Sequence, residues 1–310
     1  AFSSLIESPL SIHLYISSLV ITFKLNRVTF LLCSSKKVTI EKKEITNFEN
    51  LEIEDNIEIL LIKGDKCSLE IEADDNLHSE ININSNGNTL RLTTSKDVGG
   101  FKKFLVKVFY NNDFKLLLAK HETVVTATSE IVLDNFTIKS FDYSKIFMNA
   151  KIKTFTIMQN DKSKSELNLK SEITTIELSK NAQLKALIAA TQLKADLYQK
   201  SIAIVEGDVN ELKLRLDNNS EFTGMNLISK TAELIAEANS TTKINVVTNA
   251  TIEASGKSEI QFYGDAKIEL KKFTENTVIM KKTLKVYYDL LKPGGYLYID
   301  KFRDSEIPDK

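Results

Sequence analysis

Six aspartates recur between apolar segments from residue 134 onward, and their carboxyl groups are the chain's best candidates for chemistry. They are Asp134, Asp142, Asp161, Asp208, Asp217 and Asp265. Cleavage of a glycosidic bond needs two carboxyl groups about 5–10 Å apart, and stacking of repeated segments could bring some of these together. Aspartate is, however, favoured in turns for backbone reasons alone, and the six do not occupy matching repeat positions. We therefore predict no catalytic residue and no enzymatic activity, and keep a glycan-active enzyme as an alternative.

Metal and cofactor chemistry finds no support in the sequence. The three histidines, His13, His78 and His121, lie far apart and lack the cysteine or carboxylate spacing of a metal site. The chain has no Gly-x-Ser-x-Gly elbow, no phosphate-binding glycine loop and no glycine-rich calcium repeat. We predict that the protein uses neither a metal nor a cofactor.

The two cysteines have different surroundings. Cys67 lies in an alternating run and is predicted to be a small buried residue. Cys33 follows an apolar segment and precedes two serines, which resembles the end of a bacterial lipoprotein signal, although Leu32 stands where that signal has a small residue. Cys33 is therefore the candidate for lipid attachment to a membrane. The alternative is that residues 1–36 are a degraded or misassigned leader that does not fold.

The bulk composition limits the classes of partner. Apolar residues make up 42% of the chain and charged residues 27%, which is typical of a protein with an ordinary core. The net charge of −1 gives no electrostatic reason to expect nucleic acid. The three prolines are Pro9, Pro293 and Pro308, so no proline between Ser11 and Lys292 interrupts a backbone ladder. That placement favours a long continuous sheet.

The elements that would carry any site are strands. From Val38 onward apolar and polar residues alternate, as in half-buried strands. Asn86-Gly87 predicts a tight hairpin turn because both residues tolerate positive φ. We assign residues 37–120 to a β-rich N-terminal cap together with the first turns of a coil.

Residues 121–282 carry a repeat of roughly 19 residues, which predicts a β-solenoid. Each repeat holds an apolar–polar–apolar triplet, so two side chains point inward and one outward. The triplets begin at Phe136, Phe155, Ile176, Leu193, Leu212, Ala232, Ile252 and Ile268. In a second register a small polar residue turns the corner before a charged and an apolar residue; these triplets begin at Ser144, Ser165, Ser220, Thr242 and Ser258.

Residues 182–199 allow a second interpretation. The segment has good helix propensity and could be an amphipathic helix. However, Leu184 and Leu193 fall on the two registers of the coil, and stacking overrides propensity. We predict a strand here.

The order of these strands resembles a known family. The carrying segments are residues 48–53, the strand 57–62 followed by Lys63-Gly64-Asp65, residues 69–77, and the turn 86–90. Together they are similar to the head GIN domain family of auto-transporter adhesins, over about residues 46–275. The resemblance implies an all-β, right-handed parallel β-helix that is exported and often lipid-anchored. It brings no catalytic residue.

The last 28 residues differ from the coil. Residues 283–310 predict a helix, a turn and a strand, and the stretch 290–300 resembles a fragment of a class I methyltransferase. The glycine loop that binds the cofactor of such enzymes is absent, so we do not expect methyltransferase activity. The tail either caps the end of the coil or hangs free.

The function expected from these features is binding. We predict a non-enzymatic, adhesin-like protein of the bacterial outer membrane, cell surface or periplasm. The partner would be a surface protein or a polysaccharide that contacts the long face of the coil. The alternative, besides a glycan-active enzyme, is a structural spacer of the envelope.

Overall fold

The chain forms a parallel β-solenoid of about nine turns, as the sequence predicts. The computed structural model describes residues 13–16, 19–22, 37–95, 103–274, 276–281 and 296–299. Its strands stack side by side because no single coil can bury both of its inner faces alone. The first two strands, β1 (His13–Ile16) and β2 (Leu19–Thr22), form a separate antiparallel pair.

The N-terminal part contains short strands. They are β3 (Val38–Glu44), β4 (Asn50–Ile53), β5 (Glu58–Lys63), β6 (Ser68–Asp74), β7 (Ile81–Asn86), β8 (Thr89–Thr94), β9 (Phe104–Tyr110), β10 (Leu116–Ala119) and β11 (Val124–Ala127). A short 3₁₀ helix, His78–Glu80, precedes β7. The predicted Asn86-Gly87 turn is confirmed: β7 and β8 pair antiparallel across it, and Gly87 has a φ of 57°.

The regular part contains long strands. They are β12 (Ile131–Ser140), β13 (Lys145–Gln159), β14 (Lys164–Leu178), β15 (Gln183–Leu197), β16 (Ile202–Leu216), β17 (Glu221–Ala236) and β18 (Thr241–Ala254). Shorter strands follow: β19 (Glu259–Tyr263), β20 (Lys267–Phe273), β21 (Val278–Lys281) and β22 (Tyr296–Ile299). The alternation of buried and exposed residues is interrupted near the middle of each long strand. This marks the corner between two faces of the solenoid. Four-residue turns join the successive long strands.

The strand register is more regular than the sequence suggests. Phe155 stacks on Thr174, and Ala232 stacks on Ala250, so the two predicted triplets at Ile176 and Ile252 were each placed two residues too late. The observed inward column is Phe136, Phe155, Thr174, Leu193, Leu212, Ala232, Ala250 and Ile268. In the second register the corner residues are Ser163 and Ser240, again two residues from the predicted Ser165 and Thr242. A slip of two keeps each side chain on its face, which is why the inward residues were still identified.

The first coils do not stack in sequence order. Strands β4 and β5 pair with β8 and β9 on one side and with β10 and β11 on the other. Antiparallel β7 lies beyond β8, and antiparallel β6 and β3 lie beyond β9. This N-terminal end closes the coil with antiparallel strands.

A line of aromatic rings runs through the first coils. Phe114 contacts Phe48 with ring centroids 5.8 Å apart and Phe136 with centroids 4.9 Å apart, and Phe136 contacts Phe155 at 6.5 Å. Tyr110 packs on Phe114 at 5.2 Å and is buried. Its hydroxyl has no hydrogen-bond partner, and burial raises the pKa of Tyr110 to about 12.

Other local predictions can now be checked. Residues 183–197 form strand β15, so the strand interpretation of this segment is confirmed and the helical one is wrong. Cys67 is buried and free, as predicted. Tail strand β22 pairs parallel with β21, which places it on the end of the coil. The predicted helix before it lies outside the described residues.

Candidate functional site

One edge of the solenoid is built from stacked tight turns, and backbone strain marks it. The central residues of these turns have positive φ although they are not glycine. The clearest cases have two such residues each: Lys180 and Asn181, Gln199 and Lys200, and Asn218 and Asn219. The turn of Ala238 and Asn239, which follows them, has the same conformation. Two successive positive φ values define the tight turn that joins strands without splaying them. We call the stacked turns from residue 55 to residue 219 the turn edge.

The turns are locked by hydrogen bonds from one coil to the next. The Asn181 amide donates to the Gln199 carbonyl at 3.0 Å, and the Lys200 amide donates to the Asn218 carbonyl at 2.9 Å. The Asn219 amide donates to the Ala238 carbonyl at 3.1 Å. These backbone donors are therefore used inside the protein, and the side chains are left to meet solvent.

The last residue of each turn holds the corner from inside. This position carries Thr123, Ser144, Ser163, Ala182, Ser201, Ser220, Ser240, Ser258 and Thr277, all of them buried. The Ser163 hydroxyl donates to the Ser140 carbonyl at 3.2 Å, and the Ser201 hydroxyl donates to the Leu178 carbonyl at the same distance. At these corners a small hydroxyl residue thus bonds a backbone carbonyl, whereas the hydroxyls of Ser240 and Ser258 have no partner. We call this set the corner column.

An open groove of about 630 Å³ runs along the turn edge. It is lined solely by the central residue pairs of five successive turns. These are Asp142 and Tyr143, Asp161 and Lys162, Lys180 and Asn181, Gln199 and Lys200, and Asn218 and Asn219. Five turns at the spacing of neighbouring strands, about 4.8 Å, extend over about 19 Å. We call this feature the turn groove.

The charges in the turn groove are mixed. Lys180 pairs with Asp161, with 3.7 Å between its Nζ and the nearer carboxylate oxygen. The Lys162 ammonium lies 5.2 Å from the centroid of the Tyr143 ring and donates to its hydroxyl at 3.1 Å. Tyr143 is 54% exposed, although most aromatic rings of the solenoid are buried. The groove therefore offers an aromatic ring, side-chain amides and charges of both signs.

The groove continues into a second depression of about 580 Å³ around His121. The His121 ring lies between two carboxylates, with Nδ1 3.3 Å from Asp55 and Nε2 4.0 Å from Asp142. Asp55 also accepts hydrogen bonds from the amide and the hydroxyl of Thr94, at 2.9 and 3.1 Å. This end of the turn edge is acidic, whereas the other end carries lysines and amides.

A third depression, of about 530 Å³, lies on an outer face rather than on the turn edge. The side chains of Phe147, Leu187 and Ile204 give it an apolar part, and Glu166 and Lys185 line it as well. Leu187 is 50% exposed. We call it the face depression.

The structure brings together two of the six predicted aspartates. Asp142 and Asp161 occupy the same position of successive turns in the turn groove, so the inference that no two of the six share a repeat position was wrong for this pair. Asp142 accepts a hydrogen bond from the His121 amide at 3.2 Å, and Asp161 pairs with Lys180. Asp217 begins the last turn of the groove, where it accepts hydrogen bonds from the backbone and side-chain amides of Asn218 at 2.7 and 3.3 Å. Asp134, Asp208 and Asp265 lie elsewhere on the coils.

Other predicted site residues stay apart. His78 contacts Glu41 and the Thr39 hydroxyl of strand β3, far in sequence from His121. His13 and Cys33 have no described side chain, and Cys33 lies wholly outside the described residues. Across the described ranges, no three His, Cys, Asp or Glu side chains are grouped to hold a metal ion. The same ranges contain no helix that is both long and apolar enough to cross a membrane.

An ion-pair cluster ties three neighbouring coils together beside the turn edge. Glu54 accepts hydrogen bonds from Lys120 and Arg91, both at 2.8 Å. The bond from Lys120 lowers the pKa of the Glu54 carboxyl, and Arg91 lowers it further. Because the three residues come from different coils, the cluster stabilises their order.

Comparison with known sequences identifies the relatives of this chain. The sequence model of the family described as "Putative auto-transporter adhesin, head GIN domain" matches residues 47–266. No curated protein matches the sequence.

Comparison with solved structures gives the same fold. A protein described as a putative adhesin from Parabacteroides merdae ATCC 43184 superposes with a TM-score of 0.59 at 16% identity, covering 80% of this chain and 98% of its own. One described in the same words from Parabacteroides distasonis ATCC 8503 gives 0.57 at 16% identity, with the same coverage. A third, described as a putative lipid binding protein from that organism, gives 0.55 at 14% identity, covering 86% of this chain and 98% of its own.

Proposed function

Because the chain belongs to the head GIN domain family, we propose that it is a non-enzymatic, adhesin-like binding protein of the bacterial cell surface or periplasm. Its partner is a surface polysaccharide or a surface protein. The observation that carries this proposal is the turn edge, which presents side chains outward from seven stacked turns. Three of these turns donate a backbone amide to the next coil. Such a surface suits contact with a long partner.

The direct test uses the recombinant coil on an array of bacterial and host polysaccharides and on a pull-down from surface extracts. We expect saturable binding to at least one of these molecules. Absence of any binding in both assays would contradict the proposal.

The alternative of a structural spacer predicts a different pattern. A spacer requires only a stable coil, so substitutions in the turn groove would change stability and nothing else. An adhesin-like protein would lose binding through groove substitutions that leave stability unchanged. Measuring unfolding and binding on the same variants separates the two.

The glycan-active alternative depends on Asp142 and Asp161, because they are neighbours in a groove. Their carboxylates bind His121 and Lys180, respectively. We expect no release of reducing ends when the protein is incubated with the polysaccharides it binds. Hydrolysis that disappears in Asp142→Asn or Asp161→Asn would establish an enzyme instead.

Attachment to the membrane through Cys33 is part of the proposal. It follows from the signal-like segment before that cysteine and would present the coil outside the membrane. Expression with a labelled fatty acid should label the wild-type protein and leave Cys33→Ala unlabelled. Equal labelling of both forms would place the lipid elsewhere.

A further inference from the structure

We infer that the turn groove is a binding site for a linear, uncharged polysaccharide that lies along the coil axis. The inference rests on the proposed function and names the ligand class and the residues that contact it. The shape of the turn groove favours a linear ligand. The groove is open and repeats the same two side-chain positions five times over about 19 Å. A compact small molecule is normally held by an enclosing pocket, whereas a repeating linear groove suits a repeating linear ligand.

The hydrogen-bonding groups of the turn groove suit sugar hydroxyls. Asn181, Asn218 and Asn219 present side-chain amides, each with two donors and one acceptor oxygen. The Asn218 amide already donates to Asp217 at 3.3 Å. Lysine ammoniums add donors, and the aspartate carboxylates add acceptors. Sugar hydroxyls both donate and accept, so they match a surface that mixes the two. The half-exposed ring of Tyr143 adds an apolar surface for the face of a sugar, and Lys162 fixes that ring in place.

The mixed charges of the turn groove favour an uncharged ligand. A polyanion would need a continuous basic track, but Asp142 and Asp161 occupy two of the five turns, and Asp55 and Glu122 extend the acidic end. A polycation would meet lysines at the other end. An uncharged chain meets neither repulsion.

The backbone amides along the turn groove argue against an extended peptide. Peptides that bind repeated strands do so by pairing with an open strand edge. Along the turn groove the amides of Asn181, Lys200 and Asn219 already donate to the next coil. These three amides are not available to pair with a peptide strand, so recognition rests on the side chains.

The test measures binding of the full chain to dextran, a mannan and a soluble β-glucan, with heparin as the polyanionic comparison. Three variants are compared with the wild type. Tyr143→Ala removes the ring, and Asn181→Asp replaces the amide donors without changing the residue's shape or its tolerance of positive φ. Ile204→Thr alters the face depression and is the matched control. Urea unfolding checks that each variant is folded.

The expected result is that one neutral polysaccharide binds the wild type. Tyr143→Ala and Asn181→Asp should each weaken that binding by about three- to tenfold, and Ile204→Thr should leave it unchanged. Preferential binding of heparin would overturn the inference. So would loss of neutral-polysaccharide binding in Ile204→Thr alone. Binding to a surface protein with no polysaccharide bound would overturn this inference while the proposed function stands. Binding to nothing would overturn both.

Discussion

Ala182 is the one member of the corner column without a hydroxyl, and replacing it with serine should stabilise the protein. Three serines of the column donate to the carbonyl 23 residues earlier: Ser163 to Ser140, Ser201 to Leu178 and Ser220 to Leu197. Each of these carbonyls also accepts a backbone amide from the following turn. The equivalent carbonyl for position 182 is that of Gln159, which accepts the Ser179 amide at 3.0 Å.

The size of the effect follows from this geometry. In Ala182→Ser the new hydroxyl would donate to the second lone pair of the Gln159 carbonyl. A hydrogen bond of this kind contributes about 0.5–1.5 kcal/mol to the free energy of unfolding. Ser201→Ala removes an existing bond and should cost a similar amount. Ser258→Ala should cost nothing, because the Ser258 hydroxyl is buried without a partner and its removal relieves desolvation.

The assay is urea unfolding followed by circular dichroism, with a thermal scan as a second measurement. A gain of 1 kcal/mol corresponds to roughly 2–4 °C in melting temperature. The expected order of stability is Ala182→Ser above the wild type, Ser258→Ala close to it, and Ser201→Ala below. Equal losses in Ser201→Ala and Ser258→Ala would show that the column acts by packing rather than by hydrogen bonding. A destabilised Ala182→Ser would show that the corner has no room for the hydroxyl.

Three further predictions test other features. Burial raises the pKa of Tyr110 from 10.0 to about 12. The free energy of unfolding should therefore be at its full value below pH 10 and fall by up to roughly 3 kcal/mol as the pH rises to 12. Tyr110→Phe should abolish that fall in unfolding curves recorded at pH 9 and pH 11. The pKa of Glu54 is lowered from 4.5, so its ion pairs stabilise the protein above that pH and are lost as the pH falls. Glu54→Gln should cost about 1 kcal/mol or less at pH 7 and make stability less sensitive to acid. An unchanged dependence of stability on acid pH would contradict this. A Cβ at Gly207 would lie 2.1 Å from the Ile188 carbonyl oxygen, whereas one at Gly87 would meet nothing within 4 Å. Gly87→Ala should cost roughly 1–2 kcal/mol of left-handed strain, and Gly207→Ala should lower the free energy of unfolding by clearly more. Equal losses would show that the backbone around Gly207 moves to make room.

The repeat and the fold class follow from the sequence because period-2 alternation is a local signal. The register does not follow completely. Thr174 points inward and is buried, and its hydroxyl lies 2.6 Å from that of Ser171. A search for apolar–polar–apolar triplets passes over Thr174 and selects Ile176, two residues later. Only the ladder between coils, which is not a local property, corrects the choice.

The candidate site was hidden for a similar reason. Asn218, Asn219 and Asp161 each look like ordinary turn residues, since asparagine and aspartate tolerate positive φ. Lys180 and Gln199 carry no turn signal at all, yet they adopt the same conformation with φ near 50°. Their alignment in one groove depends on stacking five turns in exact register. The order of the first coils was equally beyond the sequence, because it depends on which strand pairs with which.

The stacking of the first coils has a consequence for the kinetics of assembly. Strands β4 and β5 are synthesised before both of the coils that flank them, and Leu51 is paired with Leu117, which lies 66 positions later. Closing so long a loop costs more entropy than adding a coil of ordinary length, and non-local pairing slows folding. Each later coil, by contrast, joins an edge that is already formed. We therefore expect the chain to begin with its slowest step and then to grow from a finished template, one coil at a time, toward its C-terminus.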